Sequence, residues 1–370
     1  MNVLFDHQVF SFQEFGGISR YYSQLMKELS ARKDFHSSVI IKYSNNEYLR
    51  SINNLSPRPF FRSHRFKGRN EIIRLLNQFY YKTEYKKIHP PDIFHPTYYH
   101  QYFLESIGDI PFVLTIYDMA HEMYPGLFHP LDFTVKNKRA LALKAARVIA
   151  ISEHTKNDVV RLLGVPDSNI DVIPLATDIR MDVSVKYPDS LPKDFILYVG
   201  ARNTYKNFLF FLRAVHKIFI DSKNLSIICA GGGMFSASEL RQIENLGLSK
   251  KIVQVNVSDG LLALFYNKSK AFVYPSLYEG FGIPVLEAFT CGAPAVLSNR
   301  SSLPEVGGEA AVYFDPENID SLVTVLQNVI NEKDAGQGMI VKGYERAKLF
   351  SWQRTADQTI DTYNKIINGV

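Results

Sequence analysis

Short apolar runs set apart by helix-like stretches constrain this chain most. VLTIYD (Val113 to Asp118), RVIAIS (Arg147 to Ser152), FILYVG (Phe195 to Gly200) and SIICAG (Ser226 to Gly231) are too short for helices. They are also too uniformly apolar for strands with one wet face, so each reads as a strand buried on both faces. Helical patterns alternate with them, for example Glu153 to Leu163 and Ser236 to Asn245. Buried strands alternating with helices predict an α/β fold with parallel, doubly wound sheets. At 370 residues the chain exceeds one ordinary core, and two such domains are expected, at 1–178 and 187–351. The polar stretch 178–193, carrying Pro188 and Pro192, reads as the linker, and a last helix is expected over 352–370, with Ile360, Tyr363 and Ile366 at helical spacing.

The densest chemistry lies in YPSLYEGFGIPVLEAFTCGAPAV, Tyr274 to Val296. A buried strand end is followed by a turn with Gly280 and Gly282, then by a helix that Pro284 places near Ile283, since proline is tolerated in the first helical turn. Free backbone N–H groups at a helix start suit a phosphate, and glycines let a ligand approach the backbone. Glu279 and Glu287, with seven residues between them, are placed to accept hydrogen bonds from sugar hydroxyls. Phosphate plus polyol points to a sugar nucleotide. Alone, Glu287 in a first turn could simply favour the helix dipole.

The whole string resembles the signature of glycosyltransferase family 4, two glutamates inside a PSxxEGFGxPxxEAxxxGxPV frame. It matches at Pro275, Ser276, Glu279, Gly280, Phe281, Gly282, Pro284, Glu287, Ala288, Gly292, Pro294 and Val296. The resemblance implies the GT-B architecture: two Rossmann-like domains facing a cleft, with the final helix crossing back to the N-terminal domain. It also implies that Glu279 holds the transferred sugar near its 3- and 4-hydroxyls, that Glu287 holds the ribose, and that the Gly280, Phe281 and Gly282 turn meets the donor.

Four further strings extend the match. In YVGARNTYKNF, Gly200 ends a strand and Arg202 and Lys206 follow four apart. Strand ends are where such sheets bind ligands, so both cations are expected at the donor's diphosphate, neutralising leaving-group charge. Tyr205 stands where many relatives carry a second basic residue. Gly16 and Gly17 form a tight loop after strand one, and the family places that loop against the donor's phosphate or sugar. TIYDMAHEMYP resembles the family's TVHDMxHExxP string through Asp118, His121 and Glu122. The family's sugar-contacting histidine is Tyr117 here, which leaves His121 as the substitute. His95, another strand-end histidine, is a candidate on the acceptor side. The loop from Asn256 and Val257 to Asp259 lies where relatives seat the nucleotide base against backbone, and Ser298 to Val306 fits the segment that supports the site from behind.

Composition narrows the setting. No apolar run is long enough to cross a membrane, and MNVLFDHQVF does not read as a signal peptide, so a cytoplasmic location is expected. Cys229 and Cys291 sit in small apolar surroundings and read as inert buried thiols. No Cys/His cluster suggests a structural metal, no cofactor is implied, and no Asp-x-Asp motif offers a metal-held diphosphate. The net charge of +5 is uneven. Residues 57–87 hold nine basic residues (Arg58, Arg62, Arg65, Lys67, Arg69, Arg74, Lys82, Lys86 and Lys87) against Glu71 and Glu84, interleaved with aromatics. Three readings stand open: a solvated helix face with its aromatics in the core, an anionic membrane surface on the inner face, or a phosphate-bearing acceptor. No nucleic-acid motif accompanies the charge.

These features lead to one expectation, a retaining, metal-independent hexosyltransferase. Its donor is a nucleotide diphosphate sugar, GDP-mannose first, with UDP- and TDP-sugars behind. Its acceptor is a lipid-linked saccharide of surface polysaccharide such as O-antigen or capsule. The GGISRY and YEGFGIP strings resemble bacterial surface-polysaccharide mannosyltransferases. A sugar-nucleotide epimerase of the same architecture, or a silent sugar-nucleotide-binding protein, are the alternatives.

Overall fold

A computed structural model describes residues 1–370 except 53, 54, 65, 203, 220–223 and 370. Arg65 of the basic segment therefore lies outside the described residues. The chain forms two compact units, one of Met1–Leu175 with Ser351–Val370, the other of Ala176–Phe350.

The first unit carries β1 (Asn2–Phe5), β2 (His36–Val39), β3 (Ile93–His95), β4 (Val113–Ile116), β5 (Arg147–Ala150) and β6 (Ile170–Val172). All pairings are parallel, in the orders β2-β1-β3 and β4-β5-β6. A parallel bridge from Phe94 to Phe112, just ahead of β4, links the two sets. The closing helix Trp352–Ile367 packs on helix Gly17–Ser30. Its polar groups are fixed at several points. Thr355 donates to the Pro174 carbonyl at 2.8 Å, and Asp171 accepts from Thr362 (3.0 Å) and Lys365 (2.6 Å).

The second unit has one parallel sheet of β7 (Phe195–Val199), β8 (Ser226–Ala230), β9 (Ile252–Val255), β10 (Ala271–Tyr274), β11 (Ala295–Ser298) and β12 (Ala311–Phe314), in the order β12-β11-β10-β7-β8-β9. This is the doubly wound order in which the first and fourth strands lie side by side. Helix Phe208–Phe219 buries Phe211, Leu212 and Val215 against Ile196, Ile227 and Val273 of the sheet. An apolar face at helical spacing opposite strands that are apolar throughout gives one continuous core. The strand β11 begins at the end of the signature string and β12 lies beyond it; the sequence pattern predicts neither as a separate element.

Candidate active site

β7 and β10 are neighbours, yet two strands separate them in sequence. The chain leaves them in opposite directions, and the backbone opens a crevice at their carboxyl ends, the usual ligand position in such sheets. Both halves of the expected site converge there. After β7 the turn Thr204–Lys206 follows; after β10 come Pro275 to Gly282. The Leu277 N–H donates to the Tyr205 carbonyl at 2.8 Å and ties the two turns together.

Across this crevice Lys206 Nζ donates to Glu279 Oε1 at 2.6 Å. The side chains are 17% and 10% exposed, so the pair is shielded but not sealed. The ammonium also lies 5.3 Å from the Tyr205 ring centre and 5.7 Å from that of Tyr274, within the range of cation–π attraction. The Tyr274 hydroxyl is held well above its ordinary pKa, first by burial and then by the adjacent Glu279 carboxylate, and stays a neutral donor to it. Sequence reasoning missed Tyr274 as a Glu279 partner, because at a buried strand end it reads as core.

The glutamate turn is braced from behind. The Ser301 hydroxyl accepts from the Glu279 N–H at 2.9 Å, and the Ser302 hydroxyl meets the Glu279 and Phe281 carbonyls, each at 2.9 Å. Gly282 has φ of 101°, a left-handed conformation that favours glycine, and a Cβ there would stand 2.9 Å from Leu303 Cδ2. Helix Ile283–Thr290 starts at the expected residue. Glu287 is buried in its second turn and accepts from the Tyr266 hydroxyl at 3.0 Å, which fixes the carboxylate's direction. Phe281 is buried and packs edge-on against Phe350, so its part in the turn is a backbone one. Asn256 is exposed beyond β9 and accepts from Gln254 at 3.0 Å; Val257 is half-buried ahead of Ser258, which caps helix Asp259–Lys268.

Arg202, expected with Lys206 at the donor's diphosphate, has a side chain that is 3% exposed and turned to the loop after β8. Its Nε donates to Glu239 at 2.8 Å, and its two terminal nitrogens meet the carbonyls of Gly231 (3.1 Å), Gly232 (3.3 Å), Gly233 (2.8 Å) and Met234 (3.0 Å). Three successive left-handed glycines, 231 to 233, turn these carbonyls inward. A Cβ on Gly232 would lie 2.4 Å from the Gly200 carbonyl oxygen, so this loop packs directly on the end of β7. The guanidinium is thus engaged within its own unit, and Lys206 alone of the two faces Glu279.

In the first unit, Gly16 closes on the Gln13 side chain, whose Oε1 accepts the Ser19 N–H at 3.1 Å, and Gly17 is exposed as the first residue of a fourteen-residue helix. Asp118 accepts from the Ala120 N–H at 2.9 Å, just ahead of the short helix Ala120–Met123. His121 stacks on Phe128 with 3.7 Å between ring centres and lies 3.4 Å from Asp132; burial and then Lys138 lower its pKa. Tyr117 does not take the place of a sugar-contacting histidine in this structure. It is buried edge-on among Tyr21 and Tyr22. His95 is likewise no acceptor-side group. It is fully buried, with Nδ1 2.7 Å from the Tyr363 hydroxyl and Nε2 2.9 Å from that of Thr115. Cys229 and Cys291 are free and buried, and burial raises both thiol pKa values, that of Cys291 to about 12.

Two family models match almost end to end, one described as Glycosyltransferase Family 4 over residues 15–180 and one as Glycosyl transferases group 1 over residues 183–346. The chain belongs to glycosyltransferase family 4. This glycosyltransferase is 28% identical to O-antigen chain mannosyltransferase B of Escherichia coli, over 94% of its own length and 95% of the relative's. It is 27% identical to O-antigen chain mannosyltransferase RfbU of Salmonella typhimurium, over 60% of its length and 62% of the relative's. Among solved structures, sucrose-phosphate synthase from Thermosynechococcus elongatus superposes with a TM-score of 0.78 at 17% identity, over all of both chains, which shows the shared GT-B fold. In this glycosyltransferase the Lys206–Glu279 contact lies at the switch point of the second unit's sheet.

Proposed function

We propose that this glycosyltransferase is a retaining, metal-independent mannosyltransferase that moves mannose from GDP-mannose to a hydroxyl of a lipid-linked saccharide in surface-polysaccharide assembly. The observation that carries the reading is the 2.6 Å Lys206–Glu279 contact across the switch point. A carboxylate and an ammonium held against each other are a stored pair of ligand contacts. On donor binding the ammonium turns to the diphosphate and the carboxylate to the 3- and 4-hydroxyls of the sugar. The kinship to O-antigen mannosyltransferases supports the choice of mannose.

The backbone N–H groups from Gly280 into helix Ile283–Thr290 share the diphosphate charge with Lys206, so charge neutralisation asks for no metal ion. Glu287 takes the ribose hydroxyls, and the loop at Asn256 and Val257 takes the base. Gly200 follows β7 and lies beneath the phosphates. Gly16, Gly17, Asp118 and His121 are the first unit's contributions to donor and acceptor. Arg202 acts through the Gly231–Gly233 loop as a positioning residue. In the transfer step the bond from C1 to the diphosphate oxygen breaks, and the acceptor oxygen bonds C1 on the same face. The acceptor proton passes to the departing diphosphate oxygen. The anomeric configuration is thereby kept without a protein nucleophile.

Among the described residues no helix is long and apolar enough to cross a membrane. Work at the inner face of the plasma membrane therefore calls for a surface contact.

The test is transfer from GDP-mannose to a short synthetic acceptor in excess EDTA, with the product anomer read by NMR. Full turnover with the α-linkage of the donor kept is expected. Loss in EDTA restored by magnesium, or an inverted anomer, overturns the reading, and sugar release that ignores the acceptor points to the epimerase alternative. A thermal-shift panel of GDP, UDP and TDP identifies the base, since a bound nucleotide raises apparent stability by mass action.

A further inference from the structure

Helix Arg69–Glu84 has two apolar faces, and only one of them is covered. Ile73 and Tyr81 are buried in the first unit, and between them Asn77 fixes the rotation of the helix. Its Oδ1 accepts from the N–H groups of Lys42 (3.1 Å) and Tyr43 (2.9 Å), and its Nδ2 donates to the Tyr43 carbonyl (2.7 Å) and the Ser11 hydroxyl (2.9 Å). All four hydrogen bonds an amide side chain can make are used. The second face therefore cannot roll inward. It presents Ile72, Leu75, Leu76 and Phe79, which are 40, 55, 39 and 75% exposed. Their spacing of three, four and seven residues is that of a single stripe along the helix. Phe61, Phe66 and Ile88 are exposed beyond its two ends. A contiguous exposed stripe of this kind marks a contact surface.

The charge around the stripe selects the partner. Lys82 follows Phe79 by one turn, Lys86 and Lys87 follow by two, and Lys67 precedes the helix; all four are exposed. Glu71 and Glu84 are the only carboxylates from 57 to 87, and Glu84 pairs with Lys87 at 2.8 Å. Arg69 is removed from the surface, buried against Glu14, while Arg62 stays exposed although paired with Glu47, as Lys87 does with Glu84. The exposed lysines remain grouped at the ends of the apolar stripe. A second copy of the chain on this stripe would bring those lysines near like charges. An apolar stripe bordered by lysines instead fits a plane that is apolar below and anionic at its surface.

We propose that helix Arg69–Glu84 lies flat on an anionic phospholipid bilayer, with Leu75 and Phe79 among the acyl chains and Lys82, Lys86 and Lys87 at the headgroup phosphates. This goes beyond the transfer reaction by giving the enzyme a place, and its test uses neither donor nor acceptor, so its failure leaves the transferase reading intact.

The experiment is co-sedimentation of the full chain with vesicles of equimolar phosphatidylglycerol and phosphatidylcholine, and with pure phosphatidylcholine. Wild type is expected to bind the anionic vesicles at least about tenfold better, with partial loss at 1 M salt, where the Debye length is about 3 Å. L75S/F79S is expected to lower binding about tenfold or more at any salt. K82S/K86S/K87S is expected to remove the preference for phosphatidylglycerol. Both should keep wild-type melting temperature and turnover on a soluble acceptor, because none of these side chains is in the core. Equal vesicle binding by wild type and both variants overturns the proposal, as does no binding by wild type. A wild-type dimer that L75S/F79S converts to monomer assigns the stripe to a second copy and also overturns it. Loss of turnover on the soluble acceptor with intact vesicle binding assigns it to the acceptor instead.

Discussion

β1 is the middle strand of its three-stranded set and β7 an inner strand of the six-stranded sheet, but the polar groups beyond them are organised in opposite ways. Beyond β1, Asp6 is fully buried and its carboxylate accepts from Thr97, Gln8 and Tyr102, through side chains and backbone, at 2.6 to 3.2 Å. Burial raises its pKa, and every direction around it is taken by protein. Beyond β7, Lys206 and Glu279 meet in a short ion pair, supported by Tyr274, that keeps an open edge. A buried, saturated carboxylate has nothing to offer a ligand. A partly shielded ion pair can trade its internal contact for two external ones. Saturation thus separates structural polar groups from functional ones better than residue type does.

The largest effect expected from this contrast is at Lys206. Lys206→Ala should cost about 2–4 kcal/mol of transition-state stabilisation, roughly 30- to 1000-fold in turnover, with melting temperature nearly unchanged. Turnover within threefold of wild type would collapse the distinction between the two strand ends.

The next effect is on the sealed side. His95 is fully buried, and burial lowers its pKa from 6.5 to about 3. The folded state keeps it neutral while the unfolded chain takes up a proton below 6.5. Its contribution is therefore present above pH 6.5 and is lost as pH falls from there towards 3. At pH 4.5, two units below the unfolded value, the loss is about 2.7 kcal/mol. Urea melts of wild type and His95→Gln at pH 7 and 4.5 give this as a difference, which cancels the opposite contribution of Asp6. Equal pH slopes would show that His95 is not sealed.

A smaller loss, about 2 kcal/mol in stability, is expected for Arg202→Ala, which strands the carbonyls of the glycine loop and Glu239. Its turnover should fall far less than that of Lys206→Ala when assayed well below the melting temperature. Equal losses of turnover would return Arg202 to the diphosphate. Smallest is Asp6→Asn, which keeps one acceptor oxygen and should cost about 1 kcal/mol in a denaturant melt with no change in donor affinity. A shift in the nucleotide dissociation constant would make the sealed cluster part of the site.

Sequence made the second unit's site legible because its chemistry is local. Glu279, Gly282, Pro284 and Glu287 lie on one turn and one helix, and the helix begins at Ile283 as the proline requires. The direction of Arg202 was not legible because it is set by Gly231–Gly233, about thirty positions away, and three left-handed glycines have no pattern that names their partner. His95 was misread for the same reason at longer range, since Tyr363 stands 268 positions on. The short strands β11 and β12, four residues each, carry too little periodicity to stand apart from the turns around them. In the basic segment, charge was legible but not which face of the helix the aliphatic residues took; that depended on Asn77 gripping Lys42 and Tyr43.

The closing helix sets an order of events during synthesis. Asp171, the Pro174 carbonyl and His95 wait for Thr362, Thr355 and Tyr363, which emerge only after the whole second unit has been made. At about 5–20 residues per second, the intervening stretch from Ala176 to Phe350 takes roughly 10–35 s to translate. A nascent first unit therefore leaves the ribosome with one face of helix Gly17–Ser30, the face that the closing helix covers, still exposed for that interval. The second unit, contiguous in the chain, is free to fold first.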